Sequence, residues 1–297
     1  MYLRKVLSVV LCVVAIAAVT VALTGCAAKT GASAWGDLDT GLILEYRMSS
    51  GDAMSYSFTS SSIQTMEIQG QPVPVESVET LLFSVEPKGV KDGGHALGIT
   101  IEDLSVTVSS PRGELEADTE NVVGESFDMT LSKLGAEGGL PDPDVLQYMI
   151  GSEGPKSVIT GFSVIFPDLP EGPITVGDTW PTTVEISEQS DEGDVVITVA
   201  AVNTLEGFET IGSFECAKIA AVLTGTIEGS GTQQGAEWTM QSDMDGSGKW
   251  YFAYKEGILV SDVTEGTADG NIVVQAPNGE MTIPVSRDYS MVTELVK

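Results

Sequence analysis

Few side chains in this chain carry the usual chemistry of catalysis: one histidine, three cysteines and a large excess of acids. His95 stands in "DGGHALG", a Gly-rich stretch that reads as a surface turn. A triad needs it beside an activated Ser or Cys216, and no nucleophile-elbow pattern raises that reading. Catalytic zinc needs about four nitrogen or sulfur ligands, which His95, Cys216 and Cys26 cannot assemble. Cys216 lies in the strand-like run "FECAKIAAVLTGTI" and reads as an inert, partly buried thiol. Paired carboxylates can hydrolyse a glycoside, but the 43 acids single out no pair. "GSGTQQG" has Gln234 where a phosphate loop would need its third glycine. In "DMDGSGKWYFAY", Asp243, Asp245, Ser247 and Gly248 match the start of an EF-hand loop. The closing position is Tyr254, which cannot supply the bidentate carboxylate, so the stretch reads as a hairpin turn. No metal or other cofactor is expected, with Asp243, Asp245 and Ser247 the weak candidates for Ca2+.

The elements that must position these groups are strands. Period-two alternation dominates. Tyr56, Phe58, Met66 and Ile68 share one face of "SYSFTSSSIQTMEIQ", and Val75, Leu81, Phe83 and Val85 share one face of the next run. Trp238, Met240 and Met244 oppose Glu237, Thr239, Gln241 and Asp243. The final run keeps Met281, Ile283, Val285, Tyr289, Met291 and Leu295 in one parity, as one long strand. These are antiparallel strands with one wet and one packed face. In "DVVITVAAV" both faces are apolar, which reads as a buried central strand.

Turn signals stand at Asp92-Gly93-Gly94, Asp245-Gly246, Glu256-Gly257, Asp269-Gly270 and Asn278-Gly279, where hairpins are expected. In "GITIEDLSVTV" the apolar parity shifts from Ile99 and Ile101 to Leu104, Val106 and Val108, so a bulge is expected near Glu102 and Asp103. One short helix is expected in "PDPDVLQYMIG", with Asp142 as cap, Pro143 at the first helical position and Gly151 as stop. Gly51-Asp52 and Gly177-Asp178 each precede an alternating strand, a weak sign of internal duplication.

"FPDLPEGPITVGDTW", residues 166–180, has the look of an active-site signature. Its prolines cannot donate to a sheet ladder, so it reads as an extended connector that turns the chain between two β-rich halves. Gly177, Asp178 and Trp180 are its structural motif, with Trp180 the plug where the next strand enters the core.

The N-terminus fixes where the chain is held. Arg4 and Lys5 precede an apolar run from Val6 to Leu23, broken only by Ser8 and Thr20, and then Thr24-Gly25-Cys26. The run is long enough to span a bilayer, which takes ~20 apolar residues, but "LTGC" resembles the lipobox of prokaryotic lipoproteins. That resemblance implies cleavage between Gly25 and Cys26 and a covalent diacylglycerol on Cys26. Two or three acyl chains anchor a protein stably, at ~0.8 kcal/mol per buried methylene. Residues 1–25 are thus the signal peptide and 26–40 a lipidated tether, in which Trp35 either meets the headgroups or folds back on the domain.

Removing residues 1–25 takes away two basic residues and no acid, leaving 12 basic against 43 acidic. Such a surface repels nucleic acid, which is excluded as a partner, and favours solubility at the cell exterior. Cys216 is the only unmodified cysteine left, so no intramolecular disulfide forms and a packed core must hold the fold.

With strands and connector in place, the chain resembles a loose group of secreted β-rich prokaryotic lipoproteins. In these a P-x-x-P…V-G-D-x-W connector opens a second half, followed by a G-x-W-Y-F…G-I-L hairpin. The matches are Pro167, Pro170, Val176, Gly177, Asp178 and Trp180, then Gly248, Trp250, Tyr251, Phe252, Gly257, Ile258 and Leu259. More distantly, the architecture is similar to half-barrel lipoprotein carriers, which bind acyl chains in a concave sheet. The expected fold is mainly β: large antiparallel sheet, as a half-barrel or two packed lobes, with an N-terminal half over 41–155 and a C-terminal half over 156–297. The expected function is a non-catalytic, membrane-anchored extracytoplasmic lipoprotein that binds a hydrophobic ligand or an envelope protein through a curved sheet. A structural or adhesive envelope module without a pocket is the alternative, and a carboxylate hydrolase the third reading.

Overall fold

The computed structural model describes residues 35–38, 40–151, 155–190, 193–233, 235–276 and 279–296. The expected signal peptide and Cys26 lie outside these. The strands are β1 (Gly36–Asp37), β2 (Gly41–Leu42), β3 (Met54–Ile68), β4 (Gln71–Lys91), β5 (Gly94–Ser110), β6 (Gly113–Asp118), β7 (Ser126–Leu131), β8 (Glu137–Gly138), β9 (Gln147–Ile150), β10 (Pro155–Ser157), β11 (Thr179–Ser190), β12 (Gly193–Ile211), β13 (Phe214–Gln233), β14 (Ala236–Ala253), β15 (Ile258–Ala276) and β16 (Gly279–Leu295). Apart from the β1–β2 pair they form one open 14-stranded sheet. Its order is β10-β9-β6-β5-β4-β3-β16-β15-β14-β13-β12-β11, with β7 and β8 branching from β5. All pairings are antiparallel, and the last strand β16 lies on β3, the first long strand of the sheet.

The turns follow backbone chemistry. Asp92 and Gly93 both adopt positive φ between β4 and β5, as do Gln69 and Gly70 between β3 and β4. The expected bulge is present: Leu82 pairs with Asp103 and Phe83 with Ile101, leaving Glu102 as the extra residue. Glu256-Gly257 turns β14 into β15, and Gly279 opens β16. Asn278 lies outside the described residues.

Three local expectations are corrected. Asp245-Gly246 and Asp269-Gly270 lie inside unbroken β14 and β15, paired to each other's strands through Gly246↔Gly266 and Ser242↔Gly270. These glycines are not at positive φ. A Cβ on Gly246 would approach Glu265 O to 2.7 Å, and one on Gly270 would strike Gln241 O. Close approach of neighbouring backbone, not a turn, therefore demands glycine here. The expected helix is a single 3-10 turn, Pro143–Val145, capped by Asp142 Oδ1 from Asp144 N at 3.0 Å. It stops because Tyr148 and Ile150 alternate into the core as β9. The last residues of the expected tether belong to the fold: Trp35 packs against the core and its carbonyl accepts from Ile43 N at 2.7 Å.

The core occupies one end of the long strands. Leu205, Ile219, Trp250, Asp262, Thr293, Phe58, Leu81 and Leu104 form one cross-strand row there, read through successive pairings. Residues 158–178 cross this end from edge strand β10 to the opposite edge strand β11. Phe162, Ile165, Phe166, Leu169 and Ile174 of this strap are buried in the core.

Candidate functional site: the uncovered half of the apolar face

The row through Trp250 defines which face of the sheet is apolar. Eight residues further along β14, an even number that keeps the same face, Ser242 sits in the row Ile186-Ile197-Ile227-Ser242-Gly270-Val285-Met66. At ~3.3 Å per residue this row lies about 26 Å beyond the Trp250 row. Neighbouring rows on the same face carry Val184, Val199 and Met244, and Val195, Met240, Ile272 and Ile283. Ile227, Ser242 and Val285 are buried and the other side chains of these rows half-buried, whereas Thr239, Gln241, Asp243, Asp245 and Ser247 on the opposite face are exposed. The packed face of the core thus continues along the strands into a half that the strap does not reach.

Small residues shape this half. Gly225, Gly229, Gly246, Gly248, Gly266 and Gly270 fall on the apolar face of β13, β14 and β15, with Ala268 among them. Aromatic rings lie over two of the gaps. Tyr289 Oη would meet a Cβ on Gly246 or Gly266, and the Trp238 ring one on Gly229 at 3.0 Å. Aromatic cover of strand glycines, with glycines packed against neighbouring carbonyls, is the device by which a sheet bends.

The other face is acidic. Asp243 stands directly opposite Asp269, and Asp245 and Asp288 flank Thr267 in the adjacent row. Like charges in direct cross-strand register are destabilising by a few tenths of a kcal/mol or more, roughly 0.2–1. Two grooves of about 680 and 800 Å³ run here, the first lined by Glu76, Asp245, Glu265 and Asp288, the second by Asp194, Glu228, Asp243 and Asp269. Asp243, Asp245 and Ser247 alternate along one straight strand instead of closing an ion-binding loop. Among the described residues no group of three His, Cys, Asp or Glu is placed to hold a metal ion.

His95 is not a surface turn residue. It lies in β5 in the parity of Leu97, Ile99 and Ile101, is buried, and its Nε2 bonds Tyr46 O at 2.7 Å. The backward alternation from Ile101 was the sequence signal for this burial. Cys216 is fully buried, and burial pushes its thiol up to about 11. Trp180 is 7 % exposed, donates Nε1–H to Asp168 O at 3.1 Å and meets Trp250 edge-on with centroids 5.9 Å apart. Asp178 Oδ2 accepts from Thr175 N at 2.7 Å and Thr175 Oγ1 at 2.9 Å, contacts that favour its charged form and lower its pKa. The V-G-D-x-W motif therefore builds the strap's exit into β11.

Three half-buried acids carried no sequence signal, because their environment comes from distant segments. Burial pushes Asp262, in the core row, up to about 7. Glu137 of β8 is pushed up to about 8, by burial first and then by the nearby Asp168 charge, against the opposing pull of backbone N–H groups including that of Phe166. Burial also raises Asp168.

No protein-family model matches this chain, and no curated protein matches it. Among the described residues no helix is long and apolar enough to cross a membrane.

Proposed function

We propose that the chain is a non-catalytic, membrane-anchored extracytoplasmic lipoprotein that takes up a hydrophobic ligand or partner protein on the uncovered half of its apolar sheet face. The observation that carries this reading is the run of half-buried and buried Val, Ile, Met and Trp side chains continuing about 26 Å past the core on the face that packs the core. Each methylene laid on such a face gains ~0.8 kcal/mol. The anchor is supported by Leu23-Thr24-Gly25-Cys26 after the apolar N-terminal run, and the membrane side by the acidic surface, which suits the exterior.

Native mass spectrometry of the purified protein lacking residues 1–34 tests the ligand. Co-purifying lipid or a small apolar molecule is the expected result, and its absence across several expression hosts would contradict a small ligand. Mass analysis of the mature N-terminus checks Cys26, where an unacylated mature chain would remove the anchor.

The grooves favour a second reading. Both are lined chiefly by polar residues of the opposite face, and the strap end is filled by aromatic packing, as in a structural or adhesive envelope module. A soluble domain that binds no apolar molecule but captures a defined envelope protein would decide for that module.

A further inference from the structure

Besides the burial of Phe162, Ile165, Phe166, Leu169 and Ile174, the strap is held to the core end by specific polar and ring contacts. Tyr46 Oη donates to Pro167 O at 3.0 Å, Leu169 N to Leu134 O at 2.7 Å, and Ile174 and Leu42 exchange backbone bonds of 2.9 and 2.7 Å. Phe166 meets Tyr46 and Tyr56 edge-on, with centroids 5.9 and 6.0 Å apart. Beneath the same segment lies Glu137, one of whose carboxylate oxygens is buried without a hydrogen-bond partner. The strap acts on it in two ways: the Asp168 charge disfavours its ionised form, and the backbone N–H of Phe166 opposes this less strongly. Tyr46 packs nearby and is in turn faced by Tyr56 and Asp262, while Lys133, close in sequence, is engaged 3.7 Å from Glu45.

We propose that residues 158–178 form a pH-controlled clasp, docked while Glu137 is protonated and released from the core end of the sheet when Glu137 and Asp168 are both ionised. Release uncovers the part of the apolar face that the strap occupies, which by register is continuous with the open half. The clasp extends the ligand reading without depending on it, since the strap's motion is measurable with no ligand present.

The sign follows from linkage. A docked Glu137 binds its proton more tightly than a solvated one, its value standing at about 8 against an ordinary carboxylate's. Docking is therefore strongest in acid and weakens as pH rises toward 8, by up to about tenfold per pH unit for one proton. Undocking restores solvent to two carboxylates held together in a partly desolvated site.

Hydrogen exchange of the purified full chain between pH 5 and 8, expressed as protection factors corrected for intrinsic rates, reads the strap directly. The amides of Leu169 and Ile174 report docking, and those of Ile219 and Val222 in β13 report the sheet. The expected result is a fall of roughly 10- to 1,000-fold at Leu169 and Ile174 in the wild type, from protection that lies below that of β13 at every pH, so that the strap opens while the sheet stays closed. Glu137→Gln is expected to abolish the fall and Asp168→Asn to reduce it. Constant protection in the wild type, an undiminished fall in Glu137→Gln, or equal protection at the strap and β13 across the range would each overturn the clasp. If Glu137→Gln fails to fold, Asp168→Asn decides the matter, with an undiminished fall again contradicting it.

Discussion

Removing the indole of Trp180 tests whether the strap's exit is built for structure. The ring is buried, meets Trp250 edge-on and satisfies the carbonyl of Asp168. Trp180→Ala leaves a cavity of indole size at a site walled by strands that cannot easily collapse, which costs ~3–5 kcal/mol. The orphaned carbonyl adds roughly 1 kcal/mol where water cannot reach it. For a domain of this size each kcal/mol moves Tm by ~2–4 °C, so the expected drop is roughly 6–24 °C. Trp180→Phe keeps most of the apolar volume and loses the donor, and is expected to cost about 1–2 kcal/mol. Thermal and urea unfolding followed by circular dichroism measure both. A Trp180→Ala protein within 1 °C of wild type, or one that keeps its Tm and loses ligand, would refute the structural reading and return the V-G-D-x-W motif to function.

Stability is expected to fall as pH rises from about 4 to 8. Asp262 and Glu137 are held above their ordinary values in the fold, so the native state binds more protons than the unfolded chain in this window. Asp262→Asn should flatten the Asp262 share, roughly 2–4 kcal/mol between pH 4 and 7, and a Tm that rises with pH in the wild type would contradict the assignment. Cys216 is expected to resist thiol reagents at pH 8 in the native protein and react at once in denaturant, whereas fast native labelling would mean an open thiol. Gly270→Ala must displace the β14 backbone at Gln241 O and is expected to cost ~1–3 kcal/mol, while Gly161→Ala, with open space around it, should be near neutral.

What the sequence revealed depended on range. Alternation and its interruption are local, so the bulge at Glu102, the Asp92-Gly93 hairpin and the full length of β16 could all be read from neighbouring residues. Gly246 and Gly270 mislead because a glycine demanded by a close cross-strand carbonyl has the same letter as one demanded by positive φ. Tyr148 and Ile150 were compatible with helix or strand, and pairing with β6 and β10 decided for strand. The environments of Glu137, Asp168 and Asp262 are assembled from segments dozens of residues apart, beyond any local pattern, whereas the burial of His95 was legible in the alternation back from Ile101. The face itself was legible as the parity of Trp238, Met240 and Met244. That nothing among the described residues covers it emerges only when the strap is seen to cross the other end.

Site-specific photocrosslinking on β14 tests the proposed face most directly. Met244 and Asp245 are adjacent in sequence and point to opposite faces of one strand. A photoreactive side chain at each position, in the full chain in its own membrane, samples the two faces under identical conditions. The expected result is a crosslinked lipid or apolar partner from position 244 and none from 245. Equal labelling at both positions, or labelling from 245 alone, would contradict ligand uptake on the apolar face.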